Sequence, residues 1–271
     1  MKRTILQVAL DITELDRAVQ IAREAVEGGA DWIEAGTPLI KSEGMEAVRR
    51  LRALFPGREI VADMKIADTG TLEVEMAAKA GASVVCILAD ADDTVIAEAV
   101  RAADLYGVKL MADLINVRSP VERARELEKM GVHIVNAHVG IDQQMIGKSS
   151  LSMLTALRDA VKVTVAAAGG LDATTAPQAV MGGADVVIVG GAITRSAGVA
   201  ASARSIRDAI DNPSLSRKEH ISPEQAIRDI LRVVSTPNIS DAMHRKGAME
   251  GISPICADTR MAGKAVTVQG F

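Results

Sequence analysis

The chain has 271 residues, of which 48% are hydrophobic and only 1% aromatic, and its formal net charge is −4. This length suits one large domain, or one domain with an appendage, and supplies enough apolar residues for a core. The acidic balance argues against duplex nucleic acid as a partner. The scarcity of aromatic side chains argues against binding of single strands, which depends on stacking. We therefore expect an aliphatic core and no nucleic-acid function.

The sequence carries no signal for secretion or membrane insertion. Asp11 interrupts the first apolar run too early for a signal peptide, and no apolar run approaches the about 20 residues of a membrane span. Cys86 and Cys256 have no cysteine or histidine partner at metal-ligand spacing. We expect a cytoplasmic protein without membrane contact.

A glycine-led motif recurs four times in the first 200 residues, at intervals of 52, 50 and 52 residues. Its copies are Gly29-Ala30-Asp31, Gly81-Ala82-Ser83, Gly131-Val132-His133 and Gly183-Ala184-Asp185. Each copy ends a helical stretch and opens an apolar run, and a second apolar run lies in each interval. The eight runs that we predict to be strands are 4–10, 31–35, 59–64, 83–89, 108–114, 133–137, 162–167 and 185–189.

Helical patterns separate these runs, at residues 14–27, 71–80, 93–106, 120–130 and 151–160. Eight strands alternating with helices predict an α/β protein of the (β/α)₈ TIM-barrel class over residues 1–210. A doubly wound open sheet is the alternative. Residues 211–222 have the composition of a linker, and residues 223–271 are predicted to form a short, mostly helical C-terminal extension.

Active sites of such barrels lie at the carboxyl ends of the strands. Charged and polar residues follow the first six predicted strands, whereas glycine pairs follow the last two. The polar set comprises Asp11, Glu34, Asp63, Lys65, Asp68, Asp90, Asp113, Asn116 and His138, and the glycines are Gly169, Gly170, Gly190 and Gly191.

The densest charge follows the third strand. Asp63 and Lys65 are two residues apart and should point to the same side of an extended chain. Asp63 and Asp68 could hold the Lys65 ammonium charged between them, either as a structural ion-pair cluster or as part of a site. Glu34 and Asp63 end adjacent strands and could share a cation such as Mg²⁺ or Mn²⁺, the alternative being two solvated acids at the rim.

His138 and the glycine pairs complete the candidate site. Histidine at this end of a barrel is a candidate general acid or base, although it is often structural. The glycine pairs favour a phosphate site, because loops after the seventh and eighth strands often bind phosphate through backbone N–H groups. Arg195 could add positive charge there, and simple tight turns are the alternative.

Three segments resemble the orotidine-5′-monophosphate decarboxylase superfamily of barrels. They are Val8-Ala9-Leu10-Asp11, Trp32-Ile33-Glu34-Ala35-Gly36-Thr37-Pro38 and Asp63-Met64-Lys65-Ile66-Ala67-Asp68. The Glu34 segment and His138-Val139-Gly140-Ile141-Asp142 are most similar to the 3-hexulose-6-phosphate synthase family. The sister family, 3-keto-L-gulonate-6-phosphate decarboxylase, usually carries arginines just after the histidine. Residues 139–143 contain none.

The resemblance implies a Mg²⁺-dependent aldolase that joins D-ribulose 5-phosphate and formaldehyde into D-arabino-hex-3-ulose 6-phosphate through an enediolate, or runs in reverse. It implies Glu34 and Asp63 as metal ligands, Asp11 and Lys65 as sugar contacts, and His138 as the proton carrier. The four glycines Gly169, Gly170, Gly190 and Gly191 would hold the phosphate. Asp68 would act in the partner's site of a homodimer.

Two other functions stay open beside the aldolase: the decarboxylase, and a non-catalytic barrel that binds a sugar phosphate. The tail also carries a resemblance, since residues 236–242 and 261–268 are similar to the opening segment of the RraA-like family. This implies a fusion whose second domain is cut short, and we assign the tail no activity.

Overall fold

The computed structural model describes residues 3–138 and 151–213. Eight parallel strands form a closed barrel in chain order, which confirms the predicted (β/α)₈ class. The open-sheet alternative is wrong because Ile5 of the first strand pairs with Val186 of the last. The strands are β1 Ile5–Leu10, β2 Trp32–Ala35, β3 Glu59–Ile66, β4 Val84–Leu88, β5 Lys109–Asp113, β6 Ile134–His138, β7 Thr164–Ala168 and β8 Val186–Val189.

Helices surround the barrel. Those described are α1 Leu15–Glu27, α2 Thr37–Glu43, α3 Glu46–Leu54, α4 Gly70–Lys79, α5 Asp93–Tyr106, α6 Pro120–Met130, α7 Leu151–Ala160, α8 Ala176–Met181, α9 Gly191–Thr194 and α10 Val199–Asp211. The five predicted helices are present, with ends shifted by at most one residue. The helices α2, α3, α8 and α10 were not predicted from the sequence, and α9 is a four-residue helix that follows β8.

Two regions of the prediction lie outside the described residues. One is the segment after His138 that carries no arginine, and the other is the chain beyond residue 213, including nearly all of the linker and the whole RraA-like segment. Within the described ranges, no helix combines the length and the apolar character that crossing a membrane requires.

The core has two layers, and both are mainly aliphatic. The larger layer lies between the strands and the helices. The smaller one fills the barrel interior, where Trp32 lies at the start of β2 and the small residues Ala9, Ala166 and Ala168 line β1 and β7. Side chains along each strand alternate between the two layers. At the carboxyl ends of the strands, the side chains on the interior face therefore point into a common cavity.

The glycine-led motif forms the turns at the N-terminal end of the barrel. In three copies, the side chain of an arginine from another helix packs directly over the glycine, which has a positive φ that a side chain would strain. The pairs are Arg207 on Gly29, Arg52 on Gly81 and Arg158 on Gly183, with φ values of 102°, 103° and 95°. The repeat therefore has a structural role, and we call each of these arginine–glycine contacts a clamp.

Candidate active site

The lysine of the candidate site is positioned by an irregularity in β3. The pairing of β3 with β4 shifts register between Ala62 and Ile66, and Lys65 has a φ of 49°. The Lys65 ammonium donates to both carboxylate oxygens of Asp63, at 3.1 and 3.0 Å. The two side chains do lie together as predicted, but through a strained bulge, a feature that often marks functional sites.

Asp113, to which no role was assigned from the sequence, joins two of the candidate catalytic residues. Its Oδ2 accepts hydrogen bonds from Lys65 Nζ and from His138 Nδ1, both at 2.8 Å. Its Oδ1 accepts from the backbone N–H of Ile115 at 3.0 Å. A single oxygen of Asp113 therefore joins Lys65 to His138. Because Nδ1 of His138 faces this oxygen, Nε2 on the other side of the ring points away from Asp113.

Asp113 takes the place that we predicted for Asp68 beside Lys65. Asp68 is exposed, accepts a hydrogen bond from the N–H of Thr69 at 2.7 Å, and does not line the cavity of its own chain. Lys65 is thus held between Asp63 and Asp113. Burial acts to lower the pKa of Lys65, but these two carboxylates outweigh it and raise that pKa above its usual value, so the ammonium stays charged.

The same pairing acts on Asp113 in the opposite sense. Asp113 is only 2% exposed, and burial alone would raise the pKa of its carboxyl. The hydrogen bond and charge of His138, together with Lys65, outweigh burial and hold the pKa below its ordinary value. Asp113 is therefore a carboxylate, and an acceptor only, at neutral pH.

Glu34 and Asp63 form the acid pair predicted to bind a cation. Glu34 is 6% exposed and accepts a hydrogen bond from Gln7 Nε2. The Thr37 hydroxyl donates to Asp63 at its backbone oxygen, 2.9 Å, and at Oδ2, 2.8 Å. Burial, followed by the charges of Asp63 and Asp11, raises the pKa of Glu34 well above its ordinary value. A negative charge on both acids is thus unfavourable unless a cation lies beside them.

Asp11 brings a third carboxyl group to the acid pair from the end of β1. It lies at the rim of the cavity, where burial and the charge of Asp63 raise the pKa of its carboxyl. Gly36 and Gly190 leave it space, since a Cβ at Gly36 would overlap Asp11 Oδ1 and one at Gly190 would lie 3.3 Å from Oδ2. These two glycines fix where the Asp11 carboxylate can sit.

The donor set fits a hard divalent cation. Three carboxylates, from Asp11, Glu34 and Asp63, face a shared space, and their mutual repulsion is what a cation would relieve. Within residues 3–138 and 151–213, no three histidine, cysteine or acidic side chains form a ready-made metal cluster. Mg²⁺ commonly uses one or two carboxylates and completes its shell with water and substrate oxygens.

Glycine backbone after β7 and β8 forms another part of the cavity wall. Gly169 and Gly170 have φ values of 106° and 67°, which place them in the left-handed region. At Gly191, the Arg195 guanidinium occupies the space that a Cβ would fill. Asp172 stabilises the loop after β7 by accepting from the N–H and hydroxyl groups of Thr174 and Thr175 at 2.6–2.9 Å.

A cavity of about 720 Å³ brings these walls together. Of the predicted site residues, it is lined by Asp11, Glu34, Asp63, Lys65, His138, Gly169, Gly170, Gly190 and Gly191, and Asp68 alone lies outside it. The polar lining residues to which the sequence analysis gave no role are Thr37, Asp113, Asn116, Asn136, Asp172 and Thr194. The cavity therefore combines carboxylates that suit a cation with glycine backbone that suits an anion.

Comparisons with known proteins identify the family of the barrel. A family model described as orotidine 5′-phosphate decarboxylase / HUMPS family matches residues 4–206. The 3-hexulose-6-phosphate synthase of Bacillus subtilis is 37% identical over 206 residues, which cover 76% of this chain and 98% of that relative.

Two solved structures are similar to the barrel. The 3-hexulose-6-phosphate synthase of Salmonella typhimurium has a TM-score of 0.74 at 34% identity, covering 77% of this chain and 99% of its own. The 3-keto-L-gulonate-6-phosphate decarboxylase of Vibrio cholerae has a TM-score of 0.66 at 28% identity, covering 78% and 99%. The chain belongs to the orotidine 5′-phosphate decarboxylase / HUMPS family.

Proposed function

We propose that the chain is a 3-hexulose-6-phosphate synthase, an aldolase that interconverts D-ribulose 5-phosphate plus formaldehyde and D-arabino-hex-3-ulose 6-phosphate. The observation that carries the proposal is the layout of one cavity. An acid pair, a charged lysine and an oriented histidine line it, together with bare glycine backbone and Arg195. A phosphorylated sugar would bind with its phosphate on the glycines and its oxygens toward the acids.

Glu34 and Asp63 would hold the Mg²⁺ ion in this proposal, with Mn²⁺ as a substitute of the same ligand preference. When bound, the ion supplies Lewis-acid stabilisation of negative charge on substrate oxygens. Asp11 and Lys65 would hydrogen-bond the sugar hydroxyls and orient them. Gly169, Gly170, Gly190 and Gly191 would bind the phosphate through backbone N–H groups, with Arg195 adding charge.

His138 would move the proton. Because Asp113 is a carboxylate, the hydrogen between the two side chains is assigned to His138 Nδ1, which leaves Nε2 to act as the base. Removal of the proton next to the ketone gives an enediolate, whose negative charge the fixed Lys65 ammonium stabilises. The enediolate carbon that lost the proton then adds to the carbon of formaldehyde. His138 returns its proton to the alkoxide oxygen that comes from formaldehyde.

The test is consumption of formaldehyde with D-ribulose 5-phosphate, in Mg²⁺ and then in EDTA. We expect uptake that requires the metal. If formaldehyde is not consumed in either condition while 3-keto-L-gulonate 6-phosphate is decarboxylated, the chain is the sister decarboxylase instead. Absence of both activities, with a sugar phosphate still bound, would identify a binding protein.

We further propose a homodimer in which Asp68 enters the partner's site. Its support is the exposure of Asp68 and of the apolar side chains that follow it on α4, Leu72 at 55% and Met76 at 44%. These two residues are four apart and share one face of the helix. An apolar face next to a charged residue that does not serve its own cavity suits a contact with a second copy.

Subunit complementation tests the dimer. Asp68→Ala and His138→Ala should each be inactive alone. In a refolded equimolar mixture, half of the dimers are mixed and each has one intact site, so about one quarter of the wild-type activity should return. No recovery, with mixed dimers demonstrated by mass, would contradict the shared site.

The free thiol of Cys86 is consistent with the cytoplasmic location that we propose.

A further inference from the structure

Gln7 is a buried amide that contacts Glu34 of the candidate site. It lies on β1, two residues before Ala9, and like Ala9 it faces the barrel interior. Its side chain is 0% exposed, and the rest of β1 is apolar. Its Nε2 donates a hydrogen bond to Glu34 Oε2.

The other end of the Gln7 amide is unsatisfied. Its Oε1 is buried and has no hydrogen-bond partner among the residues that the structure describes. Burying an amide oxygen without a partner is unfavourable, whereas methionine or leucine would fill the same space at no such cost. Packing therefore does not explain a glutamine here, and the contact with Glu34 is what the residue contributes.

We infer that Gln7 is a positioning residue that fixes the orientation of the Glu34 carboxylate and thereby sets the affinity of the site for its divalent cation. The inference rests on the proposed role of Glu34 as a metal ligand. With Oε2 engaged by Gln7, the carboxylate cannot rotate freely, and Oε1 is the oxygen presented for ligation. Hydrogen-bond partners of metal ligands commonly act in this way.

Thr37 gives Asp63 a comparable hydrogen bond at Oδ2. Each of the two proposed metal ligands, Glu34 and Asp63, thus accepts a hydrogen bond from a neutral side chain. Thr37 differs because it also begins α2 and bonds the Asp63 backbone, so its replacement would disturb local structure. The Gln7 amide acts on Glu34 without such a backbone bond, which makes Gln7 the cleaner residue to change.

The experiment replaces Gln7 with methionine, which keeps the approximate length and volume and removes the amide. Binding of Mn²⁺ to the full chain without substrate is measured by the electron paramagnetic resonance signal of free Mn²⁺. We expect Gln7→Met to bind Mn²⁺ roughly 10- to 100-fold more weakly than the wild type. Its kcat should recover at saturating metal. The metal-free thermal midpoint should stay close to that of the wild type, because the substitution removes both an unpaired oxygen and the hydrogen bond to Glu34.

Two variants make the result specific. Val84→Ala removes an apolar side chain that is also buried in the barrel interior, so it should lower the thermal midpoint and leave Mn²⁺ affinity unchanged. Glu34→Gln should lose Mn²⁺ binding. If Glu34→Gln loses it but Gln7→Met binds as the wild type does, the inference is wrong and the proposed metal site stands.

Two other results would also overturn the inference. Equal weakening of Mn²⁺ affinity by Val84→Ala and Gln7→Met would assign the effect to general packing. Wild-type affinity in Glu34→Gln would remove the proposed metal ligand, and the role of Gln7 would fall with it.

Discussion

The two ends of the barrel use charged side chains in opposite ways. At the N-terminal end, carboxylates are matched by arginines: Asp31 with Arg207 at 2.9 Å and Asp185 with Arg158 at 2.9 Å. At the carboxyl end, Asp11, Glu34, Asp63 and Asp113 line one cavity with Lys65 and Arg195 as the charged partners there. Paired charges hold turns in place, whereas surplus charge is available for a ligand.

Backbone strain is distributed in the same way. Within the described ranges, the non-glycine residues with positive φ are Lys65, Thr69 and Asn116, and all three lie at the carboxyl end of the barrel. At the N-terminal end, glycines occupy the positive-φ positions of the repeated turns. The fold therefore uses relaxed turns where only stability is required and accepts strain where side chains must be aimed.

Asp63→Ala should give the largest effect, because it removes a proposed metal ligand and one partner of Lys65. We expect kcat to fall roughly 10⁴-fold, because the variant loses the several kcal/mol by which a Lewis acid stabilises the transition state. The fold should persist, since Lys65 keeps Asp113 and the repulsion within the acid cluster decreases. Steady-state kinetics and urea unfolding measure the two parts. Near wild-type kcat would show that the metal assignment is wrong.

The two histidines at opposite ends of β6 allow a matched comparison. His138→Asn should lower kcat about 10³-fold, because it removes the proton carrier while an amide can still reach Asp113. His133 lies at the N-terminal end and accepts a hydrogen bond from the N–H of Leu110 through Nδ1. His133→Asn can retain that bond and should leave kcat unchanged. Equal loss in both variants would argue that β6 was disturbed as a whole.

Most of the barrel could be predicted because its signal is local and repeated. Each strand is a short apolar run, and the four glycine-led turns set the spacing. The helices that the sequence analysis missed fall into two kinds. α2 has only seven residues and its pattern is too short to recognise. α10 does carry the signal, with Val199, Ala203, Ile206 and Ile210 buried along one face, and it could have been found.

The site was predicted less completely because its contacts depend on packing. Asp113 was noticed at a strand end, but Lys65 lies 48 residues away in sequence, and their contact depends on the bulge in β3. The spacing suggested Asp63 and Asp68 as the partners of Lys65, whereas its partners are Asp63 and Asp113. Gln7 gave only a weak signal, a single polar residue within an apolar strand.

Arg207→Met should separate stability from activity. The buried guanidinium of Arg207 bonds Thr4, Asp31 and Asp211, at 2.6–3.0 Å. Its loss leaves Asp31 partly unpaired and should lower the free energy of unfolding by about 3 kcal/mol, with kcat unchanged.

Arg204→Met is the matched control for Arg207→Met, since Arg204 lies on the same helix but is exposed. It should change the free energy of unfolding by less than about 0.5 kcal/mol. Similar losses in the two variants, measured by urea unfolding, would mean that the clamp adds nothing beyond a surface contact.

The smallest effect should come from Glu34→Gln in the metal-free protein, and it should depend on pH. The pKa of Glu34 is raised above its ordinary 4.5 by burial and by the charges of Asp63 and Asp11. The folded state therefore binds this proton more tightly than the unfolded state does. The stability that results is complete below pH 4.5 and is lost as the pH rises through the raised pKa.

The amide introduced by Glu34→Gln carries no charge, so this variant without metal should be more stable than the wild type at pH 8. The difference should vanish near pH 4.5, where the Glu34 carboxyl is protonated. Thermal melts in EDTA across this range measure it. Added Mg²⁺ should raise the wild-type midpoint, because binding to the folded state stabilises it, and should leave the variant unchanged. If the stability difference between the wild type and Glu34→Gln did not change with pH, the charge of Glu34 would not be the source of the repulsion that the cation is proposed to relieve.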